Sequence, residues 1–293
     1  MSMNKIALKA YGKVNLGLDV VRKREDGYHD LNMVMQTVSV YDCLEICKTA
    51  EPGIKLKTNH EDLDVNEDNL IYKAAKTLMD EFQIKEGVSI DLDKNLPISA
   101  GMAGGSSDCA ATLKGINSLF ELGLSDDALR ERGMRLGADV PYCIMGGTVS
   151  AKGIGDILTP IGPSPQCHVL IVKPPVYMTT KSVYESLDLE QIKKHPDIQG
   201  IIDAINDQDL ERMAGKLENV LEIVTFKRFP VVKQIKEHMK ELGALGAIMS
   251  GSGPTVFGLF ENETKAIEAY SKIITIGTAK DIFLTKFQNN IDN

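Results

Sequence analysis

The sequence predicts an α+β fold, on three observations. Extended and helical patterns are mixed along the chain without regular β-α-β alternation. The first hundred residues are rich in strand-like segments. One of these strands feeds a glycine-rich loop that runs straight into a helix.

In chain order, residues 5–21 read as a long strand in which Ile6, Leu8, Val14, Leu16, Leu18 and Val20 alternate in part. Arg24–His29 breaks it with a turn, and residues 31–48 resume an extended pattern with β-branched Val34, Thr37, Val38 and Val40. Leu70, Ala74, Leu78 and Phe82 step by four and predict a helix over 69–82. A strand over 87–93 then leads into the glycine-rich loop. The helix after that loop ends near Gly123 as its C′ residue, and Ser125 caps the next one with Asp126 and Asp127 in its first turn.

Leu136–Cys143 follows that helix, and 146–151 is a strand. Pro160, Pro163 and Pro165 crowd one short run, which places a domain boundary between 1–160 and 161–293. Val169–Val172 is a buried-strand pattern, followed by two or three helices between 181 and 242. Residues 247–260 read as strand, glycine turn and strand, 264–273 as helix, and 279–285 as strand.

Composition narrows the function. With 293 residues the chain suits one large or two medium domains. A net charge of −8 and the lack of any Lys/Arg run argue against a general nucleic-acid binder, so an anionic ligand must be held by local donors. No apolar run approaches a membrane span, which predicts a cytoplasmic protein. Five scattered cysteines without a CxxC pair suggest neither a disulfide framework nor a zinc knuckle. Five dispersed histidines without HExxH suggest no built-in metal site.

The loop Pro97-Ile98-Ser99-Ala100-Gly101-Met102-Ala103-Gly104-Gly105-Ser106-Ser107-Asp108 is the most informative segment. Cys109, Leu113, Ile116 and Phe120 place one apolar stripe on the helix that follows. Ser106, Ser107 and Asp108 are good N-cap types, so the helix is expected to begin there. Glycines before a helix N-terminus let unpaired N–H groups close on a phosphate. A plain glycine turn capping an ordinary helix is the alternative. No Lys follows the glycines and no GxGxxG follows the first strand, which argues against the P-loop and Rossmann patterns.

Read together, AYGKVNLGLDV (10–20), REDGYHDL (24–31), GGSSDCAATL (104–113), LGADVPYC (136–143) and MSGSGPTVF (249–257) resemble the GHMP kinases. The match is closest to the branch whose acceptor is a methylerythritol joined through a diphosphate to cytidine, in non-mevalonate isoprenoid synthesis. The resemblance runs in order from about residue 7 to about residue 262. It implies an N-terminal ribosomal-protein-S5-like domain for ATP and catalysis and a C-terminal ferredoxin-like domain for substrate. It also implies ATP with Mg²⁺ and a small-molecule acceptor with a cytidine diphosphate group, with no nucleic-acid or membrane partner; a weak homo-oligomer is compatible with the sequence, which leaves the oligomeric state open.

The resemblance assigns residues as well. Asp139 stands where the family has its catalytic base, and a carboxylate can orient a hydroxyl and take its proton. Read alone, Asp139 is a turn cap before Val140-Pro141. Lys13 matches the active-site lysine, expected to keep Asp139 ionised and offset transition-state charge. Read alone, it is a surface lysine on a strand. Asn15, two residues on, shares its strand face and is expected to orient substrate.

Tyr28 and His29 match the pair that reads cytidine, by stacking and by hydrogen bonding, with Tyr184 opposite Tyr28 and Thr180 near the base. The loop Pro97–Ser107 is expected to wrap the ATP phosphates through Gly101, Gly104, Gly105, Ser106 and Ser107, with Ala103 avoiding any glycine-only conformation and Ser107 bridging to Mg²⁺. Asn69 and Lys94 are expected near the adenine, although an Asn there also serves as a helix cap. The 250–254 turn is expected to let the C-terminal half approach the phosphate loop. Other GHMP kinases, acting on homoserine, mevalonate or sugars, and a nucleotide-binding regulator without turnover are the alternatives.

Overall fold

The computed structural model describes residues 3–290. Strands β1 (Lys5–Lys23) and β2 (His29–Thr49) form a long antiparallel pair at the centre of a seven-stranded sheet. One end of β2 pairs with β4 (Gly87–Asp93), which carries β3 (Ile54–Thr58) in parallel across α1 (Leu70–Glu81). The other end of β2 pairs with β5 (Thr148–Gly153), followed by β6 (Ile157–Pro160). Residues 12–20 of β1 are buried throughout, because layers pack on both faces. That two-sided burial is why apolar alternation is only partial there.

Helix α2 (Gly104–Leu119) lies against α1 and β1, then come α3 (Asp126–Met134) and α4 (Val140–Met145). Beyond the prolines, β7 (His168–Lys173) leads to α5 (Thr180–Glu185), α6 (Ile198–Asn206), α7 (Leu210–Gly215), β8 (Glu218–Asn219), α8 (Glu222–Arg228) and α9 (Pro230–Glu241). The chain finishes with β9 (Gly246–Met249), β10 (Val256–Phe260), α10 (Glu263–Ile276) and β11 (Asp281–Lys286). The last four long strands form an antiparallel sheet in the order β11-β7-β10-β9, a ferredoxin-like arrangement. The second sheet is not a detached unit. β8 pairs with Gly17 and Leu18 of β1, and Ile198 and Ile201 of α6 sit over Gly17, where a Cβ would come within 2.7 Å of both.

Three local expectations need correction. Helix α2 begins at Gly104, two residues before the favoured caps, and its N-cap is Ala103 with no side-chain capping bond. Ala103 does adopt the left-handed conformation, at φ 56° and ψ 29°. The 181–242 stretch holds five α-helices rather than two or three, because four of them run only six to nine residues and show too few turns for periodicity to register.

A non-glycine residue in the left-handed region costs roughly 1–2 kcal/mol, while a glycine costs about 0.5–1 kcal/mol more in unfolded-chain entropy. Ala103→Gly is therefore expected to stabilise the fold by roughly 0.5–1 kcal/mol in chemical denaturation. A loss of stability would show that Ala103 carries no strain.

Candidate active site

The phosphate loop takes its shape from backbone conformation. Ser99, Gly101 and Ala103 have φ of 52°, 69° and 56°, so left-handed residues occupy alternate positions up to the α2 N-terminus. Such alternation curls the backbone into a nest of N–H groups suited to an anion. The 250–254 turn buttresses the curl from the far side. Ser250 Oγ donates to the Gly101 carbonyl at 2.8 Å, and a Cβ at Gly101 would lie 2.2 Å from the Ser250 carbonyl oxygen. Asn219 holds that turn by donating to the Met249 and Gly251 carbonyls, both at 2.8 Å.

One cavity of about 1080 Å³ opens over this loop. Its wall takes in Lys13 and Asp139, then Asn15, Tyr28, His29, Thr180 and Tyr184, then Asn69 and Lys94. It also takes in the loop from Pro97 to Ser106, apart from Met102. Met102 and Ser107 do not line it. Met102 is packed into the core, and the Ser107 hydroxyl is turned away from the cavity, donating to the Tyr11 carbonyl at 2.6 Å.

Pairing along β1 slips between Tyr11 and Lys13 and again between Asn15 and Gly17, leaving Lys13 and Asn15 between two irregularities. Such bulges re-aim side chains. Lys13 Nζ donates to Asn15 Oδ1 at 2.8 Å, and Asn15 Nδ2 approaches Met33 Sδ at 3.4 Å. The pair is buried, which sets aside the surface-lysine alternative. Lys13 forms no ion pair with Asp139 among the described residues, so any effect on its ionisation acts through space rather than through a contact.

Asp139 stands at the N-cap position of α4, yet its carboxylate makes no capping bond and no hydrogen bond or ion pair with another described residue. A half-buried carboxylate committed to no partner is available for an acceptor. Its charge is felt nearby. Desolvation, then Asp139, pushes the Tyr184 phenol up. The Cys143 thiol is raised by burial, then by Asp139, against an opposing effect of Lys13. Burial likewise pushes Cys109 up to about 12. Both thiols near the site are therefore held protonated and are poor nucleophiles.

At the far end of the cavity, the ring beside Tyr184 is that of His29, with centroids 5.4 Å apart, rather than that of Tyr28. Tyr28 stands out on the β1–β2 turn, 63% exposed. Desolvation, helped by Lys23, lowers the His29 pKa, so its imidazole is neutral near pH 7 and offers one donor and one acceptor. The Thr180 hydroxyl lies 3.1 Å from that of Ser252 on the buttressing turn. Asn69 caps α1 by accepting from the Ile71 N–H at 2.8 Å.

Asp42 and the buried side of Asp108 were not anticipated from sequence. Lys94 Nζ lies 2.6 Å from Asp42 Oδ2 and 2.5 Å from Asp108 Oδ2, while Asp108 Oδ1 has no partner. Burial, opposed by Lys94 and reinforced by Asp42, pushes the Asp108 carboxyl up to about 8. The folded state thus keeps a proton that the unfolded chain releases near pH 4. Stability from this group is full below about pH 4, declines as pH rises, and is lost by about pH 8. Denaturation across pH 5–9 should show this decline, and Asp108→Asn should flatten it. An unchanged pH profile in the variant would remove Asp108 as its source.

Residues 69–147 match the model of the GHMP kinases N terminal domain, and 191–277 match that of the GHMP kinases C terminal domain. A relative from Lachnoclostridium phytofermentans, a 4-diphosphocytidyl-2-C-methyl-D-erythritol kinase, is 50% identical over 97% of this chain and 98% of its own. A solved 4-(cytidine 5'-diphospho)-2C-methyl-D-erythritol kinase superposes with a TM-score of 0.84 at 29% identity, over 97% of this chain and 100% of its own. A homoserine kinase from Cytophaga hutchinsonii, at 19% identity, shares the fold with a TM-score of 0.80 over 99% and 97%. The segments matched at both ends build the loop and the buttress of one cavity, and the likeness extends along nearly the whole chain: the chain belongs to the GHMP kinase family.

Proposed function

We propose that this chain is an ATP-dependent kinase that phosphorylates the 2-hydroxyl of 4-diphosphocytidyl-2-C-methyl-D-erythritol, in non-mevalonate isoprenoid synthesis. One observation carries the reading: a single cavity brings together the loop at the α2 N-terminus, Lys13, an uncommitted Asp139 carboxylate and the His29–Tyr184 ring pair.

Loop N–H groups and the α2 N-terminus grip the ATP phosphates. Asp139 orients the acceptor hydroxyl and accepts its proton as that oxygen bonds to the γ-phosphorus and the bond to the ADP oxygen breaks. Lys13, steadied by Asn15, offsets the negative charge that develops. The neutral His29 imidazole reads the donor and acceptor edge of cytosine, and the exposed Tyr28 ring supplies a stacking face. Mg²⁺ accompanying the nucleotide would supply charge neutralisation at its phosphates. Ser106 Oγ, a cavity-lining oxygen with no partner among the described residues, suits a hard cation better than Ser107 does.

In this reading residues 1–160 supply ATP binding and catalysis, and 161–293 complete the acceptor site through Thr180 and Tyr184. No helix among the described residues is long and apolar enough to cross a membrane, which supports a cytoplasmic setting.

The test is Mg²⁺-dependent ADP release with the cytidyl compound and with the same compound lacking cytidine. Turnover with the cytidyl compound alone is expected. Equal turnover with both removes the His29 role, and turnover with neither points to another acceptor or to a regulator.

A further inference from the structure

We infer that Asp42, Lys94 and Asp108 form a buried strut that positions the phosphate loop, with Lys94 a positioning residue rather than a contact to the adenine. The inference rests on the kinase reading and deepens it. The family resemblance places Lys94 near the adenine, but its side chain is only 3% exposed and its ammonium is held between the Asp42 carboxylate and the Asp108 carboxyl group.

The connections tie both ends of the loop to one point. Asp42 Oδ1, on β2, accepts from the backbone N–H groups of Asn95 and Leu96, each at 2.6 Å. Those residues lead into Pro97. Asp42 Oδ2 accepts from Lys94, and Lys94 reaches on to Asp108 in the second turn of α2. The Lys94 backbone N–H is itself held by Asn59 Oδ1 at 2.8 Å. A Cβ placed on Gly104 would lie 3.1 Å from Lys94 Nζ, so the ammonium sits directly behind the first residue of the helix. The chain before the loop and the helix after it are thereby fixed to the same strand.

Buried ion pairs add little net stability compared with apolar packing, so a stability role alone accounts poorly for this arrangement. Holding a curl with three left-handed residues in its binding geometry is a different task. A loop kept in its bound shape loses less entropy on gripping phosphate.

The experiment uses the full chain and two probes, MgATP and inorganic tripolyphosphate with Mg²⁺, the second having no base. Dissociation constants are measured by calorimetry for the wild type, Lys94→Met and Asp108→Asn. Steady-state KM values are measured for both substrates. Lys94→Met is expected to weaken both probes by the same factor, at least about tenfold, with the acceptor KM within about twofold. Asp108→Asn, which keeps the Lys94–Asp42 pair and a neutral isostere, is expected to weaken both probes equally by about threefold. It carries the test if Lys94→Met fails to fold.

Weakened ATP with unchanged tripolyphosphate would assign Lys94 to the adenine and overturn the strut. Unchanged affinity in both variants, or ATP and acceptor KM values rising together, would also overturn it. A wild type that binds neither probe overturns the kinase reading itself, whereas a wild type that binds both while the variants match it overturns the strut alone.

Discussion

Asp139→Asn is expected to lower kcat by at least about 10²-fold, the low end for removal of a general base. The substitution isolates proton transfer. Asparagine keeps the shape of the side chain and can still orient a hydroxyl, but it cannot take the proton. Because the Asp139 carboxylate caps nothing and pairs with nothing among the described residues, its replacement leaves α4 without a lost bond. Thermal stability should therefore stay close to wild type, where loss of a true helix cap would cost about 1 kcal/mol. KM for ATP should also hold, since the proposed mechanism assigns the phosphates to the loop and not to Asp139. A variant turning over near the wild-type rate would take Asp139 out of the base role. A large fall in stability would show instead that the carboxylate has a structural task.

The reason Asp139 was ambiguous in sequence is instructive. An Asp before Val-Pro is a common turn cap, and only the structure shows the side chain facing a cavity without capping. Pro141 in the first turn of α4 is a helix-starting signal, but a six-residue helix has too little periodicity to confirm it. The Lys13–Asn15 face was legible because strand side chains repeat every two residues, and that local rule survived the bulges on either side.

The onset of α2 was misplaced for a different reason. Capping preference pointed to Ser106–Asp108, whereas the loop sets the boundary through a left-handed Ala103, a backbone choice that side-chain propensity does not report. Asp42 was missed because its partners lie 52 to 54 positions downstream, and nothing local marks them. A lone Asp between Tyr41 and Cys43 in a strand was nevertheless an available sign, since Asp is depleted in strands and a buried one needs partners. The ring facing Tyr184 is also tertiary information, because His29 and Tyr184 meet only when the last third of the chain folds back.

The same long-range closure makes Gly101 the most demanding position in the loop. Gly101→Ala is expected to destabilise the fold by about 2–4 kcal/mol, combining a left-handed alanine with overpacking. The new Cβ would lie 2.2 Å from the Ser250 carbonyl oxygen and 3.2 Å from the Gly253 nitrogen, both backbone atoms in a turn held by Asn219. No side-chain rotation relieves such a contact, so either the loop or the turn must move. If the loop moves, its N–H groups lose their aim and KM for ATP rises. If the turn moves, Ser252 draws away from Thr180 and KM for the acceptor rises. Gly215→Ala is the control, since a Cβ there meets nothing within 4 Å, and it should leave both KM values unchanged. Denaturation midpoints and the two KM values, measured on both variants, decide which segment yields. Wild-type values throughout for Gly101→Ala would mean that the turn does not hold the phosphate loop in place.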